Sequence, residues 1–328
     1  MTTPISVLVI GGSLSPAAEE AAAARGLTLS TCAPYPDAPT LVAAARDAGA
    51  EALVLRLGRV PRDAIERMPG VRIIAKHGVG VDGIDLDAAA AHGIPVVVAG
   101  GANAQSVAEQ GLALLLSVVR STAWLDRRMR EGHWDKATYA GGEIAGKAAG
   151  LIGLGAIGRA FLALLQPFGV TARVYDPYLP DDLLPAGAER VRDVGALLAA
   201  SDIVSLHCPL TAENRGLIDA AAIARMRPGA VIVNTARGEL IDEDALVAAL
   251  RDGRLGGAGL DTFAREPITA DHPLLALDTV VVSPHVGAST REARARVGVR
   301  CVEQIADYLE RGALDPRNHV NARARAAA

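Results

Sequence analysis

The sequence predicts an α/β chain of two doubly wound lobes, and three observations point there. The apolar half of the composition is Ala, Val, Leu and Ile, with 3% aromatics and 34 Gly, a mixture suited to parallel strands, tight turns and close-packed helices. Short β-branched runs alternate with Ala-rich helical stretches in two series, the second beginning near Ala149. At 328 residues the chain is long for one core and about right for two.

In order, the first series predicts strands at Ile5–Ile10, ending in Gly11-Gly12, then at Leu27–Cys32, Glu51–Leu57, Val71–Ala75 and Ile94–Val98. Gly100-Gly101 breaks the pattern. A long helix is expected from Asn103 to Arg120, opened by a capping box from Ser106 to Glu109 and carrying the apolar run Leu112–Val119. So apolar a helix is expected to be buried at a domain or subunit boundary, and it suggests a homodimer. A more polar helix follows at Thr122–Gly132. The second series predicts strands at Ala149–Ile152, Ala172–Tyr175, Ile203–Leu206, Ala230–Val233, Gly257–Leu260 and Val280–Val282, then an amphipathic helix at Thr290–Arg311. Gly100-Gly101 and Gly287 are candidate hinges, and the tail Ala322–Ala328 is expected to fray.

Charge excludes several classes. The net charge is −4 and the pI near 6.0. The cationic clusters at Arg127–Arg130 and Arg291–Arg300 sit among acids on helical patterns and read as solvated faces, so no nucleic-acid groove is expected. The start of the chain has no basic region, and Ile5–Ile10 is too short for a signal peptide or membrane span, so a cytoplasmic protein is expected. Cys32, Cys208 and Cys301 are scattered, which predicts reduced thiols and no metal.

The chemistry begins at Gly153-Leu-Gly155-Ala156-Ile157-Gly158, a G-x-G-x-x-G between a predicted strand and a helix. Gly153 permits the tight turn, Gly155 lets backbone approach a pyrophosphate, and Gly158 lets helix and strand pack closely. The diphosphate would rest on a helix N-terminus, where free N–H groups and the dipole favour an anion. Asp176 ends the next strand, 18 residues after Gly158. A carboxylate there accepts hydrogen bonds from the adenosine ribose and repels a 2′-phosphate, which predicts NAD rather than NADP.

Three further polar segments end strands of the second series: Val233-Asn-Thr235-Ala236-Arg237, Asp261-Thr-Phe-Ala-Arg-Glu266-Pro267, and Ser283-Pro-His285-Val-Gly287-Ala288. In a doubly wound sheet, strand carboxyl ends share one crevice. With Lys76-His-Gly78-Val79-Gly80-Val-Asp82, Asn103 to Glu109, the glycine turn and Leu206-His-Cys208-Pro209, in this order, the chain resembles the D-isomer-specific 2-hydroxyacid dehydrogenases over roughly residues 50–315. Phosphoglycerate dehydrogenase and hydroxypyruvate/glyoxylate reductase belong to that family.

The resemblance implies two Rossmann-like lobes with a cleft between them. Residues 1–100 begin a split substrate lobe, 101–288 form the NAD lobe, and the helix within 289–328 returns to the first. It also implies site residues. His285 exchanges a proton with the C2 oxygen, Glu266 pairs with His285, and Arg237 holds the substrate carboxylate and polarises the carbonyl. The N–H groups of Gly78, Val79 and Gly80 hold the carboxylate from the other lobe. Asp261 meets the nicotinamide amide, and Val107, Cys208, Pro209, Thr235, Ala236, Gly287 and Ala288 line the cofactor's path. Arg56, followed by Arg59 and Arg62, is a candidate for a second anionic group, which ranks hydroxypyruvate, glyoxylate and 3-phosphoglycerate-like acids first. His77 flanks the substrate loop, and His207 is expected to pack rather than react.

Formate dehydrogenases share the scaffold but lack the Glu partner. A phosphite dehydrogenase keeps Arg, Glu and His and stays open. An NAD-sensing corepressor of the same family would carry terminal extensions and is not expected here, and neither is feedback through a regulatory C-terminal domain. Gly83 stands where many relatives have Asn, which predicts the loss of a turn hydrogen bond.

Overall fold

The computed structural model describes residues 4–322, which divide into two compact units, 4–103 with 288–322 and 104–287. The first is built from β1 (Ile5–Ile10), α1 (Pro16–Ala24), β2 (Leu27–Cys32), α2 (Ala38–Asp47), β3 (Ala52–Leu55), α3 (Arg62–Ile65), β4 (Ile73–Lys76), α4 (Leu86–Ala91) and β5 (Val96–Val98). Its five strands are all parallel, in the order β2-β1-β3-β4-β5. That is the flavodoxin-like doubly wound order, whose direction of winding reverses between β1 and β3. β3 is buried along its whole length, as a central parallel strand covered on both faces must be.

The second unit runs α5 (Ala104–Val119), α6 (Thr122–Arg130), β6 (Ala148–Ile152), α7 (Ala156–Leu165), β7 (Thr171–Tyr175), β8 (Ala188–Arg190), α8 (Val194–Ala200), β9 (Ile203–Leu206), α9 (Ala220–Arg225), β10 (Ala230–Asn234), α10 (Glu243–Arg251), β11 (Leu255–Leu260) and β12 (Val280–Val282). Its sheet has the order β12-β11-β10-β9-β6-β7-β8, again all parallel. Numbered from β6, this is the dinucleotide-binding order with a seventh strand added, and its winding reverses between β6 and β9. The turn after β6 carries the glycine motif. α11 (Arg291–Arg311) belongs to the first unit, where Val297, Cys301, Val302 and Ile305 join a core with Val7, Val9, Ala18 and Ala22.

The α/β class and both parallel sheets are as the sequence predicts, with strand ends shifted by a residue or two. The short edge strand β8 was not expected: only Ala188, Glu189 and Arg190 pair, and nothing apolar marks them. The expected capping box is absent. Ser106 lies inside α5 and its hydroxyl donates to the Gly287 carbonyl at 2.6 Å, while Glu109 accepts from Gln105. Part of the apolar character of α5 is accounted for within its own unit: Ala108, Leu115 and Val118 pack with Phe161, Leu162 and Val233. Leu112, Leu116 and Val119 of the same helix are only partly buried. Gly83 has a reason of its own, since a Cβ there would stand 2.9 Å from the Gly58 carbonyl oxygen. Of the expected frayed tail, residues 323–328 lie outside the described residues.

Candidate active site

The glycine turn is shaped for a diphosphate. Gly153 has φ 91°, and a Cβ on it would stand 2.8 Å from the Cys208 nitrogen. At Gly158 a Cβ would meet the Gly153 carbonyl oxygen at 2.5 Å, so α7 can start this close to β6 only with glycine there. Gly155 is the N-cap of α7, has no side chain to cap it, and faces open space at its Cβ position. The first-turn N–H groups of Ala156, Ile157 and Gly158 have no acceptor within the helix. A concave run of backbone donors at a helix N-terminus, kept clear of side chains, fits a dinucleotide.

Asp176 follows β7, and its carboxylate accepts from the Leu154 N–H at 2.8 Å and the Tyr178 N–H at 3.0 Å. It therefore pins the glycine turn as well as standing at the end of the strand where a ribose would lie. Cys208 and Pro209 follow β9. Burial pushes the Cys208 thiol up to about 11, so it stays protonated at neutral pH. His207 is half-buried, packs against Phe161 with ring centroids 4.9 Å apart, and shares a 2.9 Å hydrogen bond with the Ser205 hydroxyl. It packs, as expected. Val107 on α5 lies beside Gly287.

The acid–base pair stands at the ends of β11 and β12. His285 Nδ1 lies 2.8 Å from Glu266 Oε2, and Glu266 Oε1 accepts from the Phe263 N–H at 3.1 Å. Both side chains keep contact with solvent, at 47% and 37% exposure, so the pair is open to a ligand. Burial works against the Glu266 carboxylate. The hydrogen bonds from His285 and Phe263, with the charges of His285 and Arg237, outweigh it and hold the carboxyl below its usual range. Arg237 follows Thr235 and Ala236 at the end of β10, and its Nη1 donates to the Ala236 carbonyl at 2.6 Å.

Two polar residues that the sequence reading passed over, the buried Asn234 and the half-buried Ser283, shape these turns. Asn234 accepts from the Ala236 N–H at 2.9 Å and donates to the Arg237 carbonyl at 2.8 Å. Ser283 donates to Asp261 Oδ1 at 2.6 Å and accepts from Gln110 at 2.9 Å. A lone polar residue closing an all-apolar strand was the available signal for Asn234. Asp261 itself is buried, and its carboxylate also accepts from the Val286 and Gly287 N–H groups.

The remaining site candidates lie in the first unit. Gly78, Val79 and Gly80 form the loop after β4, Ala288 opens the second segment of that unit, and Arg56 follows β3. Of the three nearby arginines only Arg56 is half-buried; Arg59 is exposed and Arg62 pairs with Asp85 at 3.4 Å. Arg291, Arg294 and Arg296 are exposed, as the reading of Arg291–Arg300 as a solvated face expects. Arg300 pairs with Asp315 at 3.2 Å, and Arg291 and Arg294 line a cavity with Arg56 and His77. Among the described residues no cluster of His, Cys, Asp and Glu could hold a metal ion, and no helix is long and apolar enough to cross a membrane.

A parallel sheet wound to the dinucleotide order, with a glycine turn at its switch point and a Glu–His pair at its far strand ends, defines a doubly wound dinucleotide-binding scaffold. Residues 112–287 match the model of the D-isomer specific 2-hydroxyacid dehydrogenase, NAD binding domain, and the chain belongs to that family. It is 44% identical over 271 residues to D-3-phosphoglycerate dehydrogenase of Mycobacterium leprae, covering 82% of this chain and 51% of that one. With hydroxypyruvate reductase of Thermotoga maritima it shares 43% identity over 258 residues, 78% of this chain and 83% of the relative. The solved glyoxylate reductase of Paecilomyes thermophila superposes with a TM-score of 0.87 at 29% identity, covering 98% and 99% of the two chains. The chain spans about half the length of the phosphoglycerate dehydrogenases it matches.

Proposed function

We propose that this protein is an NAD-dependent D-2-hydroxyacid dehydrogenase acting on a small 2-keto or 2-hydroxy acid. The observation that carries the reading is the 2.8 Å pairing of His285 with Glu266 in the same unit as a glycine turn fitted to a dinucleotide. NAD, held by the turn from Gly153 to Gly158 and by Asp176, would supply or take up the hydride.

The protein's own part is proton handling and orientation. With Nδ1 engaged by Glu266, the His285 ring is fixed and its Nε2 is left to face a substrate oxygen. In reduction that nitrogen gives a proton to the oxygen on C2; in oxidation it removes the hydroxyl proton. Ionised Glu266 stabilises the charged ring that oxidation leaves behind. Arg237 offers a planar, always-charged fork that can hold a carboxylate and polarise the neighbouring carbonyl. The N–H groups of Gly78, Val79 and Gly80 enter as further donors to that carboxylate on the resemblance alone, as does a homodimer, which sedimentation velocity decides. Asp261, besides its place near the nicotinamide, holds the His285 turn.

Two relatives named for phosphoglycerate and hydroxypyruvate, with the cationic Arg56 after β3, support a short substrate bearing a second polar group. Hydroxypyruvate, glyoxylate and 3-phosphohydroxypyruvate rank above apolar keto acids. The test is a 2-keto acid panel with NADH, followed at the nicotinamide absorbance. Turnover of these three supports the proposal. A preference for a large branched keto acid removes the substrate ranking, and NADH binding without turnover of any acid removes the enzyme.

A further inference from the structure

We propose that the first unit carries a binding site for a tetrahedral oxyanion, phosphate or sulfonate, in the cavity at the carboxyl ends of β1, β3 and β4. The cavity measures about 500 Å³, and Ser13, Ser15, Arg56, His77, Arg291 and Arg294 are among the residues that line it. Its place is where a doubly wound sheet gathers ligands. The winding reverses between β1 and β3, and the loops that follow those two strands form its wall.

Its charge is uncompensated. Three guanidiniums face the cavity, and no Asp or Glu is among the residues lining it. Elsewhere on α11, Arg300 pairs with Asp315 and Arg296 donates to the Ala102 carbonyl. Among the described residues Arg291 and Arg294 pair with no carboxylate. Arg56 is held in place by hydrogen bonds from its Nη1 to the carbonyls of Gly11 at 2.9 Å and Ser13 at 2.5 Å. Burial, and after it the charge of Arg294, work against the Arg56 guanidinium, so the two cations lie within electrostatic reach of each other. An anion there offsets the repulsion between the two cations.

The other donors agree. Ser15, Pro16 and Ala17 belong to the start of the nine-residue helix α1, and Arg291 and Arg294 to the first turn of α11, so two helix N-termini border the cavity. His77, pushed down to about 4 by burial and the charge of Arg56, is neutral at neutral pH and adds a hydrogen-bonding group rather than a fourth cation. Three guanidiniums exceed the charge of one planar carboxylate, whereas a phosphate or sulfonate presents three terminal oxygens to donors on several sides. The volume leaves room for a short carbon chain beside the oxyanion. The oxyanion could therefore be a free ion or part of a small acid, and in the second form the assignment rests on the reading of this protein as a 2-keto acid enzyme.

The test titrates inorganic phosphate into the full chain by calorimetry at low ionic strength, where surface charge is least screened. Arg294→Gln and Arg291→Gln are titrated beside it; both side chains are exposed, and circular dichroism confirms that the variants fold. Saturable binding weakened about tenfold in each variant is expected. A second arm compares kcat/KM for 3-phosphohydroxypyruvate and for glyoxylate, which has no second anion. A fall of about tenfold for the phospho acid in Arg294→Gln, with glyoxylate unmoved, assigns the ligand-borne group. Loss of phosphate binding with both acids unmoved assigns the free ion. Phosphate that does not bind, or binds the variants as tightly as the parent, overturns the site. A chain that binds phosphate but reduces no keto acid keeps the site and loses the functional reading instead.

Discussion

The main-chain N–H of His285 donates to the Asp261 carbonyl at 2.8 Å, and the Asp261 carboxylate takes the N–H groups of the next two residues, Val286 at 2.9 Å and Gly287 at 2.7 Å. His285 has φ 53°, a left-handed backbone that a residue with a Cβ adopts at a cost and holds only when its surroundings fix it. Asp261 is that surrounding. Asp261→Asn replaces one acceptor oxygen with a donor facing an N–H or hydroxyl donor, at a cost of about 1–3 kcal/mol. The expected outcome is a fall in kcat of about 10- to 100-fold with circular dichroism unchanged. An unchanged kcat would remove Asp261 from the positioning of His285.

Gly238 carries a second, purely steric prediction. A Cβ there would stand 1.9 Å from the Phe263 carbonyl carbon and 2.2 Å from the Ala264 nitrogen, so the segment leading to Glu266 must shift to admit even a methyl group. Gly238→Ala is expected to lower stability by about 1–3 kcal/mol or more, read as a lower melting temperature. The residual folded protein should lose activity, because the Phe263 N–H that moves is the one bonded to Glu266. A melting temperature equal to the parent's would show that the segment gives way freely.

The parts of the molecule legible in the sequence are those where one residue type answers one local demand. Gly153, with its positive φ, and Gly158, against backbone, can hardly be anything else, and the strand–turn–helix around them reads directly. The Glu266–His285 pair was another matter. Nineteen positions separate the two residues, and only the resemblance joined them before the fold did. Ser106 shows the opposite failure: a correct capping pattern was overridden because its hydroxyl found a tertiary acceptor at Gly287. The cavity that Arg291 and Arg294 border was hidden for a related reason. A helix pattern shows which residues share a face, but not that this face begins beside Arg56, more than two hundred positions earlier. β8 was invisible because an edge strand of three residues needs no apolar face.

Asp176 has two duties in this fold, and they predict different things. As a ribose partner it should give NADH at least about a tenfold advantage over NADPH in kcat/KM, roughly 1.4 kcal/mol. As the acceptor for the Leu154 N–H it also holds the glycine turn. Asp176→Ala should therefore shrink the NADH preference and weaken both cofactors, mostly through KM. Steady-state kinetics with each cofactor check this. Equal use of NADH and NADPH by the parent would contradict the ribose role, leaving only the structural one.

Two half-buried histidines set an acid limit on stability. Burial pushes His207 down to about 3, and burial with the charge of Arg56 pushes His77 down to about 4. In the unfolded chain each titrates near 6.5. The unfolded state thus binds the extra protons first, so the stability these groups contribute is complete above about pH 6.5 and is lost as pH falls through the window toward 4 and 3. Each proton steepens the loss by up to about 1.4 kcal/mol per pH unit. Denaturant melts at pH 7, 6 and 5 should show the decline, and His207→Gln should flatten it. The same slope in that variant would place the acid sensitivity in other groups.

Glu266→Gln tests the proton chemistry itself. The Glu266 carboxyl is held below its usual range, so its contribution is present above the ordinary carboxylate value and disappears only as pH falls through the lower folded one. Across neutral pH it is a fixed negative charge 2.8 Å from the His285 ring. Reduction of a keto acid needs that ring to carry the proton it gives up, and Glu266 is the carboxylate bonded to it. Gln keeps the shape and removes the charge. Keto-acid reduction should then fall off at a lower pH than in the parent, with its acid-side rate largely spared. Oxidation of the hydroxy acid, which needs the neutral ring, should extend toward lower pH. His285→Ala removes the proton carrier altogether and should depress both directions at every pH by about 10²- to 10⁴-fold. The decisive measurement is the pair of kcat/KM profiles, forward and reverse, for Glu266→Gln beside the parent. Opposite displacements on the two limbs require a carboxylate acting through His285, whereas a uniform drop with both profiles unmoved would make Glu266 a turn residue ahead of Pro267 and nothing more.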